Sequence, residues 1–164
     1  MYILGIDPGY DRIGIAILEK ESGKEILVFS FCFQSDKNLD INERIDSCIV
    51  FLKEIIGRYH PTELAIENLF FTNNQKTAMR VSEARGAIIN LAKQQGLSVH
   101  EYTPLQIKQA VTGYGKSDKK QVAHMVTHLV KLEPRKYIDD EIDAVAVALT
   151  HSASRIIKNL SAGL

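Results

Sequence analysis

The chain has 164 residues, 45% hydrophobic and 24% charged, and its acidic and basic residues balance to a formal net charge of zero. That length suits one compact domain over residues 1–164, since a domain of about 150 residues buries roughly 70% of its unfolded surface and closes a core without staples. The composition excludes a disordered or fibrous chain, and the neutral charge excludes a protein that coats nucleic acid nonspecifically, though not local basic patches.

Residues 2–7 and 13–18 are short apolar runs, joined by Pro8-Gly9-Tyr10-Asp11, a tight turn by composition. Glu21-Ser22-Gly23-Lys24 is a second turn, and residues 25–33 read as a third strand, so the three predict an antiparallel meander. Asp40 caps a predicted helix to about Tyr59, with Ile41, Ile45, Ile49, Leu52 and Ile56 at helical spacing and His60-Pro61 as its stop. Residues 63–67 are a fourth strand. A polar loop from about Asn68 to Asn74 precedes a long helix to about Gln95, which Gly96 closes. Residues 97–102 are a fifth strand, and Thr103-Pro104 opens a helix by the preference for proline in the first turn. After Gly113-Tyr114-Gly115, Ser117 or Asp118 caps a helix to about Leu132. A last helix starts near Asp139 or Asp140 and runs to about Lys158. The order βββαβαβ followed by helices predicts an α/β protein, a mixed five-stranded sheet with helices on both faces.

Four carboxylates stand out. Asp7 ends an otherwise apolar strand, and ligands of open α/β sheets bind beyond the carboxyl ends of strands. Pro8-Gly9 then turns the backbone away and leaves room for a bulky group such as a phosphate. Glu67 repeats the pattern at the end of the fourth strand. If those two strands are parallel neighbours, the two carboxylates lie side by side and repel, and a divalent cation relieves the repulsion. Asp140 and Asp143, spaced i, i+3, share one face of the opening turn of a helix that is otherwise very apolar and must pack closely on the sheet. An oxygen-only set suits Mg²⁺ or Mn²⁺, and four carboxylates can hold two ions about 4 Å apart. Taken singly, each acid has an ordinary alternative as a turn cap, a strand-end surface group or a helix N-terminal charge. Their convergence favours the metal.

Other signals carry less. Gly113-Tyr114-Gly115-Lys116-Ser117 lacks the first glycine and the preceding strand of a phosphate-binding loop. His124 and His128 have no third zinc ligand suitably placed. Asn159-Leu160-Ser161 is a sequon without secretory context. Cys32 and Cys48 form no CxxC pair and read as buried thiols of a reducing compartment. The N-terminal apolar run is too short for a signal peptide or a membrane span, so a cytoplasmic location without membrane attachment is expected.

Two stretches after the strand ends are locally basic. Lys76, Arg80, Arg85 and Lys93 lie on the long helix, and Lys108, Lys116, Lys119, Lys120 and Lys131 on the later segment, as phosphate contacts or as solvated helix faces. Phe70 and Phe71 follow Glu67 in the polar loop. One is expected to stack on or wedge between bases, the other to pack beneath the loop.

Read together, Gly5-Ile6-Asp7-Pro8-Gly9 and Ala65-Ile66-Glu67-Asn68-Leu69-Phe70-Phe71 resemble the RuvC Holliday junction resolvases. So do Ala84-Arg85-Gly86-Ala87, residues 106–113, residues 119–126 and residues 140–148, in that order, so that the resemblance runs from about residue 2 to residue 152. It implies an RNase H-like fold and a homodimer that sets two active sites across a four-way DNA junction. It implies symmetrical nicks with 5′-phosphate and 3′-hydroxyl ends, two Mg²⁺ ions per site (replaceable by Mn²⁺), and a junction-binding and branch-migration complex of the RuvA/RuvB type as partner. By the same resemblance Asp7, Glu67, Asp140 and Asp143 are the metal-binding carboxylates, Lys108 and Lys119 the basic residues near the scissile phosphate, and Phe70 the junction-contacting aromatic. The i, i+3 relation to Asp143 favours Asp140 over the adjacent Asp139; Lys119 and Lys120 are equivalent by sequence. An RNA-processing nuclease of the same fold, or a junction-binding module without catalysis, are the competing readings, with an actin-like ATPase a distant third.

Overall fold

The computed structural model describes residues 1–21, 23–68 and 75–162, with the side chains of residues 75, 76 and 156–162 outside that description. Five strands form one mixed sheet in the order β3-β2-β1-β4-β5. They are β1 (Tyr2–Asp7), β2 (Arg12–Glu21), β3 (Lys24–Gln34), β4 (Glu63–Glu67) and β5 (Ser98–Tyr102). The first three are an antiparallel meander, with a register shift at Ile17/Leu18, and β4 and β5 add in parallel beyond β1. The helices are α1 (Ile41–Tyr59), α2 (Gln75–Gln94), α3 (Pro104–Thr112), α4 (Lys119–Leu129) and α5 (Asp139–Ala162).

Strand alternation splits the apolar residues between two cores. Leu4, Ile6, Ile13, Ile15, Ile17, Leu64 and Ile66 pack with Leu52, Ile56, Ile88 and Leu91 of α1 and α2. Ile3, Ala16, Leu18 and Ala65 face the other way, onto Val111, Val126 and the Ala144–Leu149 stretch of α3, α4 and α5. The central strands are covered on both faces, so they read as unbroken apolar runs.

The second face is paved with small residues, and this brings α5 onto the sheet itself. A Cβ on Gly5 would lie 2.4 Å from the carbonyl oxygen of Ala144, and one on Gly14 would lie 1.9 Å from that of Asp140. No side chain larger than hydrogen fits either place. The opening turn of α5 therefore rests on β1 and β2 beside Asp7.

The helix starts follow their caps. Asp40, Thr103 and Asp118 each accept from the first-turn backbone and donate their own backbone N–H to a Glu or Gln side chain in return. Two ends differ from the sequence reading. α4 stops at Leu129, short of Leu132, where Val130 turns extended at φ −131° and buries its side chain in the core. α5 runs on past Lys158 to Ala162.

Candidate metal centre

The register of β1 on β4 pairs Ile6 with Ile66, so Asp7 and Glu67 emerge side by side from adjacent parallel strands. The glycine contacts under α5 bring Asp140 and Asp143 to the same place. Burial, then the charges of Glu67, Asp143 and Asp140, push the Asp7 carboxyl up from 3.8 to about 7, against the pull of Lys119. Burial and Asp143 push Glu67 to about 7 as well, with Lys108 and Lys119 opposing. Burial also raises Asp143, although its hydrogen bond from Lys119 works against the shift. These mutual effects define one electrostatic cluster of four acids.

Two cations already lean on it. Lys119 Nζ is 2.8 Å from Asp143 Oδ2 and 3.7 Å from Asp139 Oδ2. Burial disfavours the Lys119 ammonium, but its bond to Asp143 and the attraction of Asp143, Asp139 and Asp7 outweigh that and raise its pKa. Arg12 Nε lies 3.4 Å from Asp140 Oδ2, close enough for an ion pair yet outside hydrogen-bond geometry. Asp140 Oδ2 is consequently a buried acceptor with no hydrogen-bond partner. With no hydrogen bond and only a long pairing to a half-exposed guanidinium, this buried oxygen is under-satisfied, and a closer cation would complete it. The buried oxygen without a hydrogen bond, the repelling acids and the all-oxygen donor set together fit a hard divalent cation.

Beside the cluster opens a cleft of about 270 Å³. Pro104, Ile107, Val122 and Ala146 give it apolar walls, and Glu67, Lys108, Lys119 and Asp143 give it charge; Asp7 and Asp140 are not in its lining. Lys108 comes from α3 and Lys119 from the first turn of α4, so the two caps at Thr103 and Asp118 aim both lysines at the acids.

The remaining basic residues separate by environment. Lys116 and Lys120 are exposed. Arg85 is turned inward: its Nε donates to the Glu67 carbonyl at 3.1 Å and its Nη2 pairs with Glu101. Arg80 donates to the Tyr10 hydroxyl and lies 4.9 Å from that ring's centre. Phe70 and Phe71 lie outside the described residues, as does the side chain of Lys76.

Sequence reasoning passed over two supporting residues. Arg44, 6% exposed, clamps the β1–β2 turn behind Asp7 by binding Tyr10 Oη at 2.7 Å, Asp11 Oδ1 at 2.6 Å and Ser35 Oγ at 2.9 Å. Its signal was a charge on the apolar stripe of α1, between Ile41 and Cys48. Arg12 gave no such signal, because only the fold brings it to Asp140.

The sequence profile described as "Crossover junction endodeoxyribonuclease RuvC" matches residues 3–151. A protein of that name from Brevibacillus brevis is 38% identical over 164 residues, covering 100% of this chain and 99% of its own. One from Caldicellulosiruptor saccharolyticus is 43% identical over 155 residues, covering 94% of this chain and 93% of its own. Among solved structures, "T. thermophilus RuvC in complex with Holliday junction substrate" superposes with a TM-score of 0.89 at 30% identity, covering 96% of each chain. The fold is thus the RNase H-like α/β fold. With a match this long and relatives this similar, the chain belongs to the crossover junction endodeoxyribonuclease RuvC family.

Proposed function

We propose that this chain is a divalent-metal-dependent endodeoxyribonuclease that resolves four-way DNA junctions, and that Asp7, Glu67, Asp140 and Asp143 hold its ions. The observation that carries the reading is the acid cluster, with Asp140 Oδ2 buried inside it without a hydrogen bond, in a chain of this family. Two Mg²⁺ ions, with Mn²⁺ as substitute, suit the all-carboxylate set. When bound, the ions supply Lewis-acid charge to the phosphate and a water of lowered pKa.

The reaction is hydrolysis of a phosphodiester. A water oxygen bonds to phosphorus, the bond from phosphorus to the 3′-oxygen breaks, and the products are a 5′-phosphate and a 3′-hydroxyl. Lys119 has the role of balancing the extra negative charge on the phosphoryl oxygens as they pass through the transition state. It reaches Asp143 at 2.8 Å in the resting protein and stands on the cleft where a backbone would lie. Lys108, across the same cleft, holds the neighbouring phosphate. Pro104, Ile107 and Val122 form the apolar wall of the cleft beside the reacting phosphate. Arg85 holds Glu67 in place through its carbonyl.

Lys76, Arg80, Lys116 and Lys120, with Phe70 and Phe71, are proposed to extend the DNA contact beyond the cleft. A homodimer with two such sites accounts for paired nicks. A junction-binding and branch-migration complex of the RuvA/RuvB type is the expected partner, and the cytoplasm the expected compartment. No helix among the described residues is long and apolar enough to cross a membrane.

The deciding experiment is cleavage of a synthetic four-way junction with a mobile core in Mg²⁺, beside linear duplex, single-stranded DNA and RNA–DNA hybrid. Symmetrical paired nicks in the junction alone are expected. Preferential cutting of the hybrid would keep the metal centre and overturn the substrate. Asp7→Asn is expected to fold and bind the junction without cutting it, and retained cleavage would remove Asp7 from the metal set.

A further inference from the structure

A second cluster lies at the other end of the seam between β4 and α5. Strand alternation puts Glu63 on the same face of β4 as Ala65 and Glu67, and the pairing of Ala65 with His100 puts His100 and Tyr102 on that face of β5. His151 comes down onto them from α5, eight residues after Asp143 and so about 12 Å farther along the helix. One carboxylate oxygen of Glu63 and one ring nitrogen each of His100 and His151 lie within 4.8 Å of one another. The two imidazoles stack with centres 4.3 Å apart. The side chains of His151 and Glu63 are only 2% and 14% exposed.

We propose that Glu63, His100 and His151 form a second metal site, selective for a borderline divalent ion of the Zn²⁺ and Co²⁺ class. Two imidazoles and one carboxylate favour such ions, whereas the all-oxygen cluster around Asp7 favours Mg²⁺ or Mn²⁺. Bonds near 2.1 Å set tetrahedral ligand atoms about 3.4 Å apart, so Glu63 Oε2 and His151 Nε2 part by about 0.9 Å to admit the ion, while His100 closes on them. The surroundings hold the ligands as outer partners hold them in metal sites. Tyr102 Oη lies 2.7 Å from His151 Nδ1, which fixes the ring and leaves Nε2 for the ion. Arg155 takes Glu63 Oε1, leaving Oε2, which sits 2.5 Å from His151 Nε2. Ion binding moves the ring proton of His151 from Nε2, where Glu63 accepts it, to Nδ1, which then donates to Tyr102 Oη. It ties β4, β5 and α5 together on the helix that carries Asp140 and Asp143.

The test uses the full chain stripped with chelator, as wild type and as Asp7→Asn, titrated with Zn²⁺ by calorimetry and with Co²⁺ by visible absorption in excess Mg²⁺. One Zn²⁺ per chain is expected in both proteins, and Co²⁺ should show the absorption of nitrogen ligation. His100→Ala, at a half-buried position, should weaken Zn²⁺ binding at least tenfold. Glu63→Gln preserves shape and should do the same, and it decides the matter if His100→Ala fails to fold. Absence of Zn²⁺ binding in Asp7→Asn overturns the site, as does undiminished binding by Glu63→Gln.

Discussion

Replacing Asp7 by asparagine is expected to stabilise the metal-free protein while removing its response to metal. The Asp7 carboxyl titrates near 7 in the folded chain, against 3.8 ordinarily. The folded state therefore holds a proton that the unfolded chain has already lost, and the associated stability is present in full below pH about 4 and lost as pH rises through about 7. At about 1.4 kcal/mol per pH unit, the loss approaches about 4 kcal/mol at pH 8. Part of that belongs to repulsion shared with Glu67, Asp143 and Asp140, so a gain of about 2–4 kcal/mol is expected for Asp7→Asn. Asparagine and protonated aspartate are nearly isosteric, so the gain should vanish at pH 4. Urea unfolding in chelator from pH 4 to 8, comparing midpoints at constant slope, measures it. Added Mg²⁺ should stabilise wild type by about 2.7 kcal/mol at a hundredfold excess over Kd, and the variant far less. Parallel pH profiles for the two proteins would refute the argument that these acids crowd one another.

Three further outcomes are expected. Lys119→Met should lower kcat for junction cleavage about a hundredfold or more while leaving junction affinity, read by gel shift, within a few-fold of wild type. Gly14→Ala places a methyl 1.9 Å from the Asp140 carbonyl oxygen. It should displace the first turn of α5, cost about 1–3 kcal/mol in urea unfolding and lower activity about a hundredfold without touching a metal ligand. Arg44→Met should cost about 2–4 kcal/mol, because it leaves Tyr10 and Asp11 without their shared partner and loosens the turn behind Asp7. A loss below 0.5 kcal/mol in that variant would show that the clamp contributes nothing.

Local chemistry made much of this protein readable in advance. The caps at Asp40, Thr103 and Asp118 act within a single turn, so the residues that satisfy the first backbone N–H groups stand next to them in the chain. The meander was legible because its turns are short, and the central strands because burial on both faces demands unbroken apolar runs. Asp7 and Glu67 were conspicuous as the first charges at the ends of such runs. Helix ends were less legible, as at Leu129, because a cap set by extended Val130 depends on what Val130 packs against.

The sequence by itself determined the order of elements, the two acids at the strand ends and the i, i+3 acids on α5, since each depends on neighbours a few residues away. Only the tertiary structure decided what those groups do to one another. The lane of Gly5 and Gly14 under α5, Arg12 on Asp140, the inward turn of Arg85 and the meeting of Glu63 with His151 all join residues distant in the chain. Such contacts arise from the register of strands and the packing of a helix on a sheet. No local pattern encodes them, because the partner's position is set by the whole core.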